Sequence, residues 1–190
     1  MINEKIVLAS QSPRRKELIS LIANNVTIRP ADCDETLPQG ITPREAVEYL
    51  SKIKNDASRE ISQNDEIVIS ADTVVAVDDI ILGKPRDKED ARYMISLLQG
   101  RVHSVYTGVT ISKGDKFVTF SEKTEVEFNP MTESEIEEYI SSSEPYDKAG
   151  SYAVQGKACV YIKGLNGDYF NVVGLPVSRL YKELSGFVNN

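Results

Sequence analysis

The chain of 190 residues carries 29 acidic against 22 basic side chains, a net charge of −7 with its single histidine neutral. Hydrophobic residues make up 41% and charged residues 27%, a globular balance that excludes wholesale disorder or a fibre and suits one domain or two small lobes sharing a sheet. The acidic excess argues against a nucleic-acid polymer as partner, since that affinity rests on clustered Lys and Arg, but leaves room for one small anionic ligand held locally.

In chain order, Ile6–Ala9 is a short apolar run of the kind a buried strand shows. Ser12-Pro13 then opens a helix, with Ser as N-cap and Pro at the first helical position, and Leu18, Ile19 and Ile22 at helical spacing. Thr42-Pro43-Arg44-Glu45 is a capping box that starts a second helix, predicted to bury Ala46, Val47, Leu50, Ile53 and Ala57. Residues 67–77 read as a long central strand, followed by an Asp78-Asp79 turn and a short strand at 80–82. A third helix follows Asp87, with Ala91, Met94, Ile95 and Leu98 on one face and Gly100 as its stop.

Residues 102–111 and 117–128 are predicted to pair across Lys113-Gly114-Asp115, with Val118, Phe120, Val126 and Phe128 on one side of the second arm. Thr132-Glu133-Ser134-Glu135 is a second capping box, opening a helix through Ile136, Tyr139 and Ile140. Asn166-Gly167 predicts a hairpin joining 158–163 to 168–173, and Pro176 starts a last helix with Val177, Leu180, Tyr181 and Leu184. Helices interleaved with buried and alternating strands give an α/β class with a mixed sheet.

No apolar run approaches the ~20 residues of a membrane span. The opening Met1-Ile-Asn-Glu-Lys5 lacks a signal peptide's apolar stretch, so a cytoplasmic protein without a membrane partner is expected. Cys33 and Cys159 lie far apart without CxxC spacing, which suits two reduced thiols, with one disulfide as the other reading. The lone His103 leaves catalysis to carboxylates, lysines, arginines and a hard metal, and is itself expected to be structural or supporting.

Several positions could carry chemistry. Ser10-Gln11-Ser12-Pro13-Arg14-Arg15 joins a strand end to a helix start, where free N–H groups, two hydroxyls and two guanidiniums could hold an anion; a well-capped helix with two solvated arginines is the other reading. Asp72 interrupts the apolar run 67–77, and a buried carboxylate is costly unless paired or metal-bound. Thr73 points to the opposite face of a regular strand. Lys54 lies on a stripe with Val47 and Leu50, where it either snorkels outward or reaches a site. Lys84 sits in the tight turn Leu82-Gly83-Lys84-Pro85, and Glu35 in an acidic, proline-bounded loop that alone reads as solvated surface. Tyr146–Gly150 and Gln155-Gly156 frame a loop rich in hydrogen-bonding groups.

Taken together, the motifs from Leu8–Arg15 through Ala71–Val75, Leu82–Pro85, Gly100–His103, Thr107–Val109, Asp147–Gly150 and Gln155-Gly156 to Val172–Pro176 resemble, in order, those of the Maf family of nucleoside triphosphate pyrophosphatases. The resemblance implies one unit over residues 1–190 with the fold of the inosine-triphosphate pyrophosphatase superfamily, an α/β chain with a cleft between two lobes. It implies cleavage of a nucleoside triphosphate to monophosphate and pyrophosphate with Mg²⁺ or Mn²⁺, and a homodimer. It assigns Asp72, Glu35, Lys54 and Lys84 to catalysis, Glu35 and Asp72 to the metal, and Ser10, Ser12, Arg14 and Arg15 to the phosphates. Arg14, Thr73 and Gln155 match the members that act on dTTP and UTP rather than 7-methyl-GTP. The alternatives are the same chemistry on another base such as 7-methyl-GTP, or a nucleotide-binding regulator of septum formation without physiological turnover. The chain departs from the family pattern at Ser51 and Asn55, where Ala is common. Residues 115–147 hold ten acidic side chains against two basic ones, so the acidity is expected on one solvated face outside the phosphate loop.

Overall fold

The strand that organises the chain is β3 (Ile67–Val77), rich in β-branched residues and buried along its length except at Asp72 and Thr73. The computed structural model of the chain, which describes residues 1–189, builds one mixed sheet on this strand. β1 (Ile6–Leu8) runs parallel to β3 and to β2 (Val26–Ile28). On the other side β5 (Val102–Lys113) is antiparallel to β3, then β6 (Lys116–Phe128) to β5 and β7 (Ile162–Asn166) to β6. β4 (Ile80–Leu82) folds back antiparallel onto Val75–Val77.

This register leaves a gap. β5 pairs with β3 from Val68 to Ala76, whereas the opposite edge is covered by β1 only at Ile67–Ile69 and by β4 only at Val75–Val77. Residues 70–74 therefore face an opening where two flanking strands diverge, the place where open α/β sheets accept ligands.

The odd-numbered face of β3 carries two apolar cores. Ile67, Ile69 and Ala71 pack with α1 (Pro13–Ser20) and α6 (Val177–Asn189), while Val75 and Val77 pack with α3 (Lys88–Leu98) and α4 (Glu133–Ile140). The even-numbered face is covered by α2 (Pro43–Glu60), held at its start by the Thr42–Glu45 capping box. Its contact line differs from the sequence expectation. Ile53 and Ala57 are only half-buried, and the line runs instead from Ala46 and Val47 through Leu50 to Ser51, Asn55 and Ser58. Hydrogen bonding explains this: the Asn55 amide donates to the Val68 and Thr110 carbonyls, each at 3.1 Å, and accepts from the Ser112 hydroxyl at 2.5 Å. The Ser70 hydroxyl donates to the Ser51 carbonyl at 2.6 Å. A fully satisfied polar seam fixes helix register in a way that a slippery apolar contact does not.

The predicted hairpin around Asn166-Gly167 is not formed. Residues 162–166 pair with β6, but the chain then turns into α5 (Tyr169–Val173). Asp168 caps that helix by accepting the Phe170 N–H at 2.8 Å, and the Thr124 hydroxyl grips Asp168 by both its N–H and its carbonyl. Of residues 158–163, expected as strand, 158–161 lie instead in a 3-10 turn, Lys157–Tyr161, and only 162–163 are strand. β2 was not anticipated, because the alternation of Val26, Thr27 and Ile28 is only three residues long, too short to read as a strand. Ser12 occupies the N-cap position of α1 without making a side-chain capping bond. The acidic stretch is less free than expected: Glu133 and Glu137 of α4 pair with Lys88 and Arg92 of α3. No helix among the described residues is long and apolar enough to cross a membrane.

Gly108 on β5 lets α2 approach closely, since a Cβ there would overlap the Val47 carbonyl. Gly108→Ala should cost roughly 1–3 kcal/mol of stability in urea unfolding through overpacking. Because α2 also carries Lys54, the same variant should lose activity at temperatures where it remains folded.

Candidate active site

The opening at residues 70–74 deepens into a cleft of about 760 Å³, walled by segments 9–15, 30–37, 72–75, 83–84, 147–155 and 172–174 together with Lys54. At its floor, helix α2 and strand β3 bring together two side chains 18 positions apart in sequence. Lys54 Nζ lies 2.5 Å from Asp72 Oδ1 and 2.8 Å from Glu35 Oε2. Asp72 and Lys54 are mostly buried, at 13% and 17% side-chain exposure, whereas Glu35 is open at 55%. Burial opposes the charge on Lys54, but Asp72 and Glu35 outweigh it and hold the ammonium pKa above its ordinary value. Glu35 is delivered by a loop with its own local turn, in which Asp34 accepts from the Thr36 N–H and hydroxyl at 2.9 and 2.6 Å.

The two arginines that the sequence places side by side differ in their surroundings. Arg15 turns inward: Nε donates to the Gly174 carbonyl at 2.9 Å, Nη2 to Thr73 Oγ1 at 3.0 Å and Nη1 to Ser10 Oγ at 3.3 Å. Burial pulls its pKa down, with Asp72 acting against that. A directed chain continues from it. Thr107 gives its hydroxyl hydrogen to the Asn171 carbonyl at 2.9 Å, so it accepts from Thr73 at 2.8 Å, and Thr73 accepts from Arg15. Arg15, Thr73 and Ser10 thus brace the segment 10–15 against β3 and the turn after α5. Arg14, Ser12, Lys84 and Gln155 line the cleft, and none of their side chains has a hydrogen bond or ion pair among the described residues. These are the groups left available to a ligand.

The loop at 147–150 closes the opposite wall. The Gly150 N–H donates to the Gly83 carbonyl at 3.0 Å, tying this loop to the Lys84 turn. Gly150 takes φ +67° and sits against Val75, where a Cβ would clash. Lys148 pairs with Asp147 beside it. Lys148 and Gly174 stood in sequence only inside the motifs Asp147–Gly150 and Val172–Pro176, with no role of their own, and Tyr152 and Asn171 were not picked out. Nothing local marks a buried Asn or a carbonyl acceptor.

His103 stands behind the cleft, 2% exposed, with Nε2 2.8 Å from the Tyr152 hydroxyl and its ring edge-on to Phe128 and Tyr152. Burial lowers its pKa to about 4. Cys33 is half-buried, its thiol pKa raised by burial and the Glu35 charge, and Cys159 is exposed; the two are not joined.

Glu35 and Asp72 direct two carboxylates at a single cationic point. Hard divalent ions such as Mg²⁺ bind through one or two carboxylates plus water and phosphate oxygens. Two carboxylates aimed at one point are a donor set of that kind, and no group of three His, Cys, Asp or Glu side chains gathers among the described residues.

His103 generates a stability prediction. It stays neutral in the folded chain down to about pH 4 but takes a proton below its ordinary value of 6.5 when unfolded. The unfolded state binds more protons in that window, so stability falls as pH drops from 6.5 towards 4, by an amount on the order of 3 kcal/mol. In urea titrations at pH 7.5 and pH 5, His103→Gln should show a smaller loss than the parent chain.

A family model described as Maf-like protein matches residues 5–187. A protein from Bacillus anthracis named dTTP/UTP pyrophosphatase is 48% identical over 183 residues, covering 96% of this chain and 95% of that one. One of the same name from Bacillus cereus is 46% identical over 183 residues, with the same coverage. Among solved structures, the Staphylococcus aureus Ham1 protein shares the fold, with a TM-score of 0.57 at 15% identity over 96% of this chain and 99% of that one. With a match running from the first strand into the last helix, and relatives that share nearly half its residues, this chain belongs to the Maf family.

Proposed function

We propose that the chain hydrolyses dTTP and UTP between the α and β phosphates, giving the nucleoside monophosphate and pyrophosphate. The observation that carries this reading is the Lys54 ammonium held between Asp72 and Glu35 at the floor of a cleft with unpaired cationic groups on its walls. The names of the curated relatives support the same activity.

Arg14 and Lys84, with the N–H groups at the start of α1, bind the triphosphate, since a helix start and unpaired cations favour a polyanion. Asp72 accepts the proton of the water whose oxygen attacks the α phosphorus, as the bridging bond to the β phosphate breaks. Lys54 lies against that carboxylate and stabilises the charge that develops on the phosphate oxygens. Glu35 and Asp72 would hold Mg²⁺ or Mn²⁺, which when bound neutralises phosphate charge. Gln155 offers one amide donor and one acceptor to a base. Thymine and uracil both present a carbonyl beside a ring N–H, so a single carboxamide pairs with either.

Pyrophosphate release from dTTP, UTP and 7-methyl-GTP with Mg²⁺ tests the reading, which expects the two pyrimidine nucleotides to be cleaved and fails if neither is. Asp72→Asn should lower turnover by about 10²–10⁴-fold, the range for a lost general base, with the variant still folded by circular dichroism at the assay temperature although less stable for losing the partner of buried Lys54. Chelation should abolish turnover and added Mg²⁺ or Mn²⁺ restore it. Gln155→Glu should shift the ratio of dTTP to GTP hydrolysis; an unchanged ratio removes Gln155 from base recognition.

A further inference from the structure

We infer that Glu144 is a positioning residue for base recognition: its carboxylate holds the loop that presents Gln155, and thereby sets which base the cleft accepts. The inference rests on reading the cleft as a pyrimidine nucleoside triphosphate site.

Glu144 opens the 3-10 turn Glu144–Asp147, between α4 and the wall that carries Asp147 and Lys148. Its carboxylate is fully engaged. Oε1 accepts from the Tyr139 hydroxyl at 2.9 Å and the Ala158 N–H at 3.3 Å, and Oε2 accepts from the Lys157 N–H at 2.8 Å. The two amides are the first free donors of the 3-10 turn Lys157–Tyr161, whose N-cap position is Gly156, a residue with no side chain to cap it. A carboxylate from a distant part of the chain does that work, with the added strength of an ionised acceptor. A Cβ on Gly156 would lie where the Glu144 carboxylate sits, so glycine leaves that carboxylate room to reach the turn.

The stretch between these anchors is short. The Gly156 N–H donates to the Ala153 carbonyl at 3.0 Å, closing a four-residue turn with Gln155 at its third position. On the upstream side Tyr152 is buried and bonded to His103 at 2.8 Å. Downstream, Glu144 holds Lys157 and Ala158. The Gln155 side chain is exposed in the cleft and has no hydrogen bond of its own among the described residues, so its backbone placement is what aims it. Release of the Glu144 anchor frees one end of that turn and lets the carboxamide swing.

The test measures kcat and KM for UTP and GTP in the full chain, in Glu144→Gln, in Gln155→Ala and in the double variant. Glu144→Gln places an amide NH₂ against a backbone donor in either orientation. It should lower the UTP-to-GTP ratio of kcat/KM by about tenfold, the size of one charge-assisted hydrogen bond, through a rise in KM for UTP. In the Gln155→Ala background the same substitution should add nothing to the loss of discrimination. An unchanged ratio in Glu144→Gln, or losses that multiply in the double variant, overturns the inference. Gly156→Ala supplies a second route should Glu144→Gln fold poorly by circular dichroism: the added methyl displaces the same loop and should give the same drop, and an unchanged ratio there also overturns it. A parent chain that does not cleave UTP overturns the function reading and this inference with it; a parent that cleaves UTP and GTP equally, or parent discrimination that survives both substitutions, overturns only the role of Glu144.

Discussion

An ammonium group between two carboxylates, at the one stretch of β3 that lacks a strand on one edge, is the contact around which the molecule is arranged. Neither charge is cheap where it lies, because Lys54 and Asp72 are mostly removed from water, and each is tolerable only because the other is within 2.5 Å. Glu35 completes the set from the open side, at 2.8 Å. Placing Lys54 on a helix and Asp72 on a strand makes the site depend on how firmly that helix sits on that sheet.

The seam between α2 and the sheet answers that dependence. Asn55 and Ser51 are both buried and hydrogen-bonded to the sheet beneath or its side chains. Slipping the helix by one residue would leave these polar groups buried and unpaired, a penalty that an apolar interface would not impose. Gly108 adds the close approach, with the Val47 backbone lying where any side chain would be. On the opposite face, Arg15 links Ser10, Thr73 and Gly174 into a brace, so the two faces of β3 at residues 72 and 73 serve different ends. One points to the ion triad and the other to the scaffold of the segment 10–15.

Strong periodic signals were legible in sequence. Both Thr capping boxes, the long apolar strand at 67–77, the paired arms around Gly114 and the apolar faces of α3 and α4 stand where the pattern puts them. Short or competing signals were not. Asn166-Gly167 does turn the chain, but Asp168 caps a helix instead of starting a strand, and the Thr124 contacts that favour the cap come from 44 residues away. Ile53 and Ala57 have the right spacing for burial, yet polar residues beside them win the contact line through partners on β3 and β5.

For the site, the sequence by itself determined which side chains carry charge and hydrogen-bonding capacity: Asp72 inside an apolar strand, Lys54 on a helical stripe, an anion-friendly loop at 10–15 and an acidic loop at 35. Those follow from residue type and local period, which are properties of the chain alone. Only the tertiary structure decided that Lys54 meets both carboxylates, that Arg15 turns inward while Arg14 does not, and that Glu144 caps a turn 13 residues further on. Each of these is a contact between segments distant in sequence, and its energy depends on burial and on competing partners that no local pattern records.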